Sequence, residues 1–400
     1  MRTTLYEKMF LDGFEKPSYV VATLALERPL PDEELAQAVR ATLERHPRLR
    51  STVTFRFGVP IAFAPQPADV WPGPHHLDRA DLDALEERLL GTPLDPRVAF
   101  PFEVYTVRRP AALVVKVHHA VIDASSGFAV LQDFTRLLEG RVPAARARRR
   151  ELGRVRVAAR WASRATLAPR LPGIGVTARY RPETPLVHTP VVHRERVLHE
   201  RHALLTRRAR ARGATFFELV ASALLSAMHA YNARAPGSPE RVGLMFARAR
   251  PRALASGASF RAETRAVSVA SSQLVTPHHP STLGELRRAA NDPRHDDLAL
   301  AALYVARKLR RSSTQPREHR GLVFTLSDLT SFGRRMAHRS PDAPLPFRNV
   351  RVLASPTAFD HAGMLVSRRD DDVRLSLVTH RGAIDADALL DATVARLEEA

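Results

Sequence analysis

Two periods of apolar spacing alternate along this chain. Tyr19–Leu26 (YVVATLAL) is a run of β-branched and apolar residues that reads as a strand. Leu35, Val39 and Leu43 then recur at helical spacing, with Asp32 as N-cap and Glu33 and Glu34 in the first turn. A helix therefore follows the strand and ends at Pro47. Leu49–Phe57 alternates as a strand, and Phe102–Val107 pairs with Leu113–Val117 around the turn Arg108–Pro110. Ser125–Leu138 sets Phe128, Leu131, Phe134 and Leu138 on one helical face. In the second half, Leu204–Arg212 is an Arg-rich helix stopped by Gly213, and Thr215 caps the apolar helix FFELVASALLSAMHAYN. Val242–Ala247 is a strand closing on Arg250-Pro251, Arg374–His380 is a final strand, and Asp385–Glu398 is a final helix capped by Asp385.

This order divides the chain in three. Residues 1–140 form a first αβ subdomain, residues 141–190 a basic, Pro-containing crossover linker, and residues 191–400 a second subdomain. No repeat with a period of 20–50 residues is evident. At 400 residues and 44% hydrophobic composition the chain is long enough to bury two cores.

Charge adds a second theme. The net charge is +19, and of the 61 Lys and Arg residues four are Lys (Lys8, Lys16, Lys116, Lys308), an Arg and Ala bias typical of a GC-rich genome. The densest basic block is Arg141–Arg170, with ten Arg against Glu151 alone. Three readings of it stand side by side: a solvated linker, a docking face for an acidic carrier protein, and a helix lying on a membrane surface. With aromatic residues at 6%, the interleaving that nucleic-acid binding asks for is missing. There is no apolar run of 18 residues, and the N-terminus is charged without an apolar core, so a cytoplasmic location is expected. Zero cysteines exclude disulfides, a thiol nucleophile and Cys-ligated zinc, and no His/carboxylate metal spacing or glycine-rich phosphate loop occurs.

The chemistry concentrates in Leu113–Gly127, LVVKVHHAVIDASSG. A strand delivers two histidines, an aspartate follows four residues after the second, and small residues lead into an apolar helix. A histidine at a strand end is a means of presenting a general base to an alcohol or amine. The string His118-His119-Ala120-Val121-Ile122-Asp123-Ala124 resembles the HHxxxDG signature of the chloramphenicol acetyltransferase-like, condensation-domain superfamily, which includes wax ester synthase-like and polyketide-associated acyltransferases. Further elements support the likeness. His46-Pro47-Arg48-Leu49-Arg50 resembles the HPxLR element of that superfamily, the Thr215 helix resembles its GAT-led helix, and Val323–Gly333 resembles its SNxG strand end.

The resemblance implies an α/β (α+β) fold of two subdomains of similar topology. Each is a mixed sheet with flanking helices, and a cleft or tunnel lies between them. It implies transfer of an acyl group from CoA or a carrier-protein phosphopantetheine thioester, as donor substrate with no permanently bound cofactor, to a hydroxyl acceptor. His119 would be the general base, with no covalent intermediate. An amine acceptor, and a non-catalytic carrier-binding member, are the alternatives. His118 and Asp123 complete the motif, with Asp123 expected to pair with Arg250 and hold the loop, and Arg50 as weaker support. Ala124, Gly127, Ser327 and Asp328 fall where the superfamily binds the donor. Two of these depart from the pattern. Ala124 replaces a glycine, and Asp328 replaces an asparagine whose amide can donate to an oxyanion where an ionised carboxylate only accepts. His278-His279, between Pro277 and Pro280, reads as a loop.

Overall fold

The computed structural model describes residues 11, 18–56, 59–141, 143, 190–234, 239–248, 263–291, 324–330, 347–356 and 362–399. The basic 141–190 block and Arg250 thus lie outside the described residues, apart from 141, 143 and 190. The chain divides into two units, and each has its own sheet and core.

The first unit contains β1 (Tyr19–Leu26), α1 (Asp32–Arg45), the hairpin β2 (Ser51–Arg56) and β3 (Val59–Pro65), β4 (His75–Arg79), α2 (Leu82–Gly91), β5 (Phe102–Arg109), β6 (Ala112–His118) and α3 (Ala124–Leu138). Pro31, with no side-chain cap, precedes α1, so Asp32 is the first helical residue rather than the cap. It still acts, with Glu33 and Glu34, as a negative charge at the helix's positive end. The second unit contains β7 (Val191–Leu198), α4 (His202–Ala211), α5 (Phe216–Asn232), β8 (Arg241–Arg248), β9 (Glu263–Ala270), α6 (Pro280–Asn291), β10 (Phe324–Asp328), β12 (Ala362–Arg369), β13 (Asp372–His380) and α7 (Ala386–Glu398). Between β10 and β12, β11 (Phe347–Ala354) crosses back and pairs antiparallel with β1, so the 191–400 stretch gives one strand to the first sheet.

The first sheet has the order β11-β1-β6-β5-β4 and the second β7-β13-β12-β10-β8-β9. The two share a topology. In each, the opening strand pairs antiparallel with the last strand of a hairpin (β1 with β6, β7 with β13), and the other hairpin strand takes a parallel neighbour (β4 beside β5, β10 beside β12).

Period-2 alternation decides which face of the first sheet each side chain joins. Leu24, Leu26, Leu113, Val117, Phe102 and Val104 meet Leu35, Val39 and Leu43 of α1 and Val130 and Phe134 of α3 in one core. Each fully buried Leu or Val there contributes about 1.5–3 kcal/mol over its exposed state. In the second unit α5 is buried almost all round, among Leu244, Phe246, Leu326, Met364 and Leu375. Among the described residues no single helix is long and apolar enough to cross a membrane, and α4 and α5, which reach that length together, meet at 89°.

Candidate active site

The His motif begins where β6 ends. His118 is the last strand residue and faces Tyr19 across the antiparallel pair with β1, while its N–H donates to the Pro101 carbonyl at 2.9 Å. His119 leaves the ladder, its N–H donating to the Ser18 carbonyl at 2.8 Å. The chain then turns tightly: Val121 N–H reaches the His118 carbonyl at 3.1 Å and Ile122 N–H the His119 carbonyl at 3.4 Å. From Lys116 to Asp123 every residue is buried except His119, which is half-buried. The turn therefore presents one side chain to solvent, and it is an imidazole.

His118 is fully buried, and its Nδ1 accepts the Ala120 N–H at 3.1 Å. That bond requires the proton on Nε2 in the neutral ring. Burial, with smaller repulsion from His119 and Lys116, pushes its pKa down to about 3. At neutral pH His118 is thus an uncharged strut inside the turn.

Asp123 is 1% exposed and caps α3. Its carboxylate accepts the Ser126 N–H at 2.8 Å, its own N–H donates to Ser126 Oγ at 3.0 Å, and its carbonyl accepts Gly127 N–H at 2.7 Å. This reciprocal capping box satisfies two donors at the helix start. Ala124 opens α3 in helical conformation, so the backbone at that position makes no demand for glycine. Gly127 has a packing reason of its own: a Cβ there would stand 3.2 Å from Ile122 Cδ1 and 3.3 Å from Cγ1.

The second unit carries a copy of this turn. His380-Arg381-Gly382-Ala383-Ile384-Asp385-Ala386 follows β13 as His118–Ala124 follows β6, with identical residues at the first, fifth, sixth and seventh places. Hydrogen bonds repeat as well. Arg381 N–H donates to the Pro190 carbonyl at 2.8 Å, Ala383 N–H to the His380 carbonyl at 3.1 Å, and Ala388 N–H to the Asp385 carboxylate at 3.0 Å. The sequence signal is an H-x-x-x-I-D-A string at both places, 118–124 and 380–386, far beyond the spacing of a short repeat. Asp385 caps its helix beside no second histidine, so the matching aspartate belongs to the turn's architecture. Asp123 caps α3 in the same way, and the pairing with Arg250 expected for it lies outside the described residues.

Other candidates fall as follows. Arg50 donates through Nε to the Leu43 carbonyl at 3.1 Å and through Nη1 to the Gln66 carbonyl, so it fastens the Pro47–Arg50 turn to α1 and to the chain after β3 rather than to the histidine loop. The support from that segment comes instead from two residues that sequence reasoning did not single out for it. Arg45 Nε donates to Asp133 Oδ2 at 2.6 Å and His46 Nε2 to the same oxygen at 3.1 Å, which ties α1 to the helix that the His motif starts. Ser327 and Asp328 end β10 in the second unit. Asp328 Oδ1 accepts the Thr330 N–H at 2.8 Å and the Thr330 hydroxyl at 2.6 Å, the structural acceptor role open to a carboxylate. His278 is buried with Nε2 against the Arg396 carbonyl at 3.0 Å, and His279 leads into α6, a connecting loop as expected.

No protein-family model matches the sequence, and no curated protein matches it. Solved structures do match in fold. The first condensation domain of the calcium-dependent antibiotic synthetase, in complex with a substrate analogue, aligns at a TM-score of 0.68 and 18% identity, covering 100% of this chain and 96% of that one. Polyketide synthase associated protein 5 from Mycobacterium tuberculosis aligns at 0.62 and 13%, covering 99% and 96%. The X-domain from teicoplanin biosynthesis aligns at 0.63 and 18%, covering 98% and 92%. With two mixed sheets of shared topology and the histidine pair at a strand end, this protein has the condensation-domain fold.

Proposed function

We propose that this protein is an acyltransferase that moves an acyl group from a CoA or carrier-protein phosphopantetheine thioester to a hydroxyl acceptor. The observation that carries this reading is the exposure of His119 alone in an otherwise buried turn whose backbone is fixed by Ser18, His118 and the Asp123 cap. The His119 ring takes the acceptor's proton as its oxygen attacks the thioester carbonyl. The C–O bond forms, the C–S bond breaks, and the departing thiolate receives the proton from His119. Since a thioester is already activated, positioning and one base are sufficient machinery. The neutral, hydrogen-bonded His118 holds the turn without adding charge beside the base.

The fold likeness supports the class of chemistry, since one relative carries a substrate analogue in a condensation domain and another is a polyketide synthase associated protein. The net charge of +19 suits an acidic carrier protein as the donor's bearer. A second reading, a member that binds a partner without turnover, is favoured by Asp328, whose carboxylate is engaged as an acceptor where an amide donor would assist an oxyanion. Thiol release from acyl-CoAs and acyl-pantetheines, with alcohols and amines as separate acceptor pools, tests the proposal. Release with the alcohol pool supports ester formation, release with the amine pool moves the reading to amide formation, and silence from folded protein with carrier-bound donors as well favours the binding reading.

A further inference from the structure

Behind the histidine turn the first sheet buries a lysine. Lys116, two residues before His118 on the same face of β6, is 0% exposed. Its Nζ donates to the Thr92 carbonyl at 2.8 Å, lies 3.5 Å from Glu103 Oε2 on β5, and stands 4.3 Å from the centre of the Tyr19 ring. Tyr19 is also fully buried, and its ring meets the His118 ring edge-on at a centroid distance of 5.3 Å and 85°. The Tyr19 hydroxyl accepts the Leu94 N–H, so the 92–94 loop grips both the lysine and the tyrosine.

An ammonium taken out of water is costly, and a β-sheet has no general need for one. The second unit shows this directly. By strand register, Val191 and Val378 stand where Tyr19 and Lys116 stand, and the same backbone turn follows. The lysine–tyrosine pair accompanies the copy of the turn that carries the second histidine, and the fold manages without it in the other.

We infer that Lys116 is a positioning residue for the histidine pair: held by Thr92 and Glu103, it fixes the Tyr19 ring against His118 and so keeps His118 in the tautomer with its proton on Nε2, the form that receives the Ala120 N–H. The ring is thereby the pillar of the turn that presents His119. Burial pushes the Lys116 pKa down while Glu103 opposes this, and Tyr105 donates to Glu103 at 3.0 Å from the next register position. Among the described residues, the charged and titratable groups facing the cluster are Lys116, Glu103, Tyr19, Tyr105 and His119, with Asp95 acting on Tyr19 and Arg88 of α2 on Lys116 at longer range. The inference deepens the acyl-transfer reading only in its last step, because the state of His118 is measurable without turnover.

The experiment uses the full chain with 15N-labelled histidine, reading the ring nitrogens of His118, assigned with His118→Asn. The wild type is expected to show one Nε2–H tautomer that does not titrate between pH 5 and 8. A ring protonated on Nδ1, or one that titrates in this range, overturns the inference with no variant needed. Lys116→Met with Glu103→Gln removes both charges while keeping volume. It is expected to leave His118 in two tautomers and to lower kcat at least tenfold with KM within about twofold. Lys116→Met alone, which leaves the partly exposed Glu103 in place, is expected to show the same second tautomer, and it carries the comparison should the double variant unfold. A folded double variant whose His118 ring is unchanged overturns the inference. A wild type with the stated His118 state but no turnover counts against the acyl-transfer reading alone.

Discussion

Arg381 occupies in the second unit the backbone position that His119 occupies in the first: each N–H closes onto the carbonyl of the residue before its unit's opening strand, at 2.8 Å in both. One turn, built twice, presents an imidazole in one case and a guanidinium in the other. This separates what the turn needs for its shape from what it needs for chemistry. The aspartate and its helix cap are present in both copies, and a second histidine in only one.

Loss of the cap follows from that comparison. Asp123→Ala is expected to lower stability by about 1–2 kcal/mol, the usual range for an N-cap, and Asp385→Ala by a similar amount in the other unit. Asp123→Asn, whose amide oxygen still caps, is expected to recover most of the stability. Chemical denaturation of the three variants decides it, and an Asp123→Asn as damaging as Asp123→Ala would contradict a capping role.

The shared carboxylate of Asp133 offers a second check. It is buried and serves both Arg45 and His46, so Asp133→Ala strands a partly buried guanidinium and a buried imidazole. A loss on the order of 3 kcal/mol is expected, against a smaller loss for Asp133→Asn. Equal stability of wild type and Asp133→Ala would show that α1 and α3 do not depend on this link.

Stability should also depend on pH through His118. The free ring titrates near 6.5 and the buried one at about 3, so between these values the unfolded chain binds the extra proton. The contribution is complete above 6.5 and is lost as pH falls toward 3. His118→Asn, whose side-chain oxygen can still accept the Ala120 N–H, is expected to flatten this acid limb by about one proton. An unchanged slope in denaturation curves across that window would contradict the buried, neutral ring.

At the end of β10, Asp328→Asn keeps an oxygen for both Thr330 bonds and gains an amide donor. Melting within about 2 °C of wild type is expected, with turnover equal or raised. A large loss of turnover would mean that the carboxylate itself takes part.

Much of this was legible because local patterns carried it. β6 reads as a strand from Leu113, Val114, Val115 and Val117, and Thr215 and Asp385 cap the helices assigned to them. Elements held by backbone pairing alone were not. β4 (HHLDR) is an edge strand with one apolar residue, and β11 joins β1 across more than three hundred residues of chain, which no local period encodes. Within α2, acidic residues on both sides of LDALEERLLG obscure the apolar face that buries Leu85, Leu89 and Leu90. Lys116 illustrates the limit at the site. In a strand a lone lysine reads as a solvent-facing position, and only Thr92, Glu103 and Tyr19, brought together by the sheet, show it to be interior. Asp123 was legible as part of a motif, yet its work as a cap required seeing Ser126 return the bond.

Thiol release by wild type and by His119→Ala, on the same acyl-thioester and alcohol pool, decides whether His119 is the base of an acyl transfer. The chain has no cysteine, so a thiol-reactive dye meets no background from the protein. Wild type is expected to turn over, His119→Ala to lose at least a hundredfold, consistent with removal of a general base, and the two to melt within about 2 °C of each other. Turnover that survives the substitution at the wild-type rate would show that His119 is not the base.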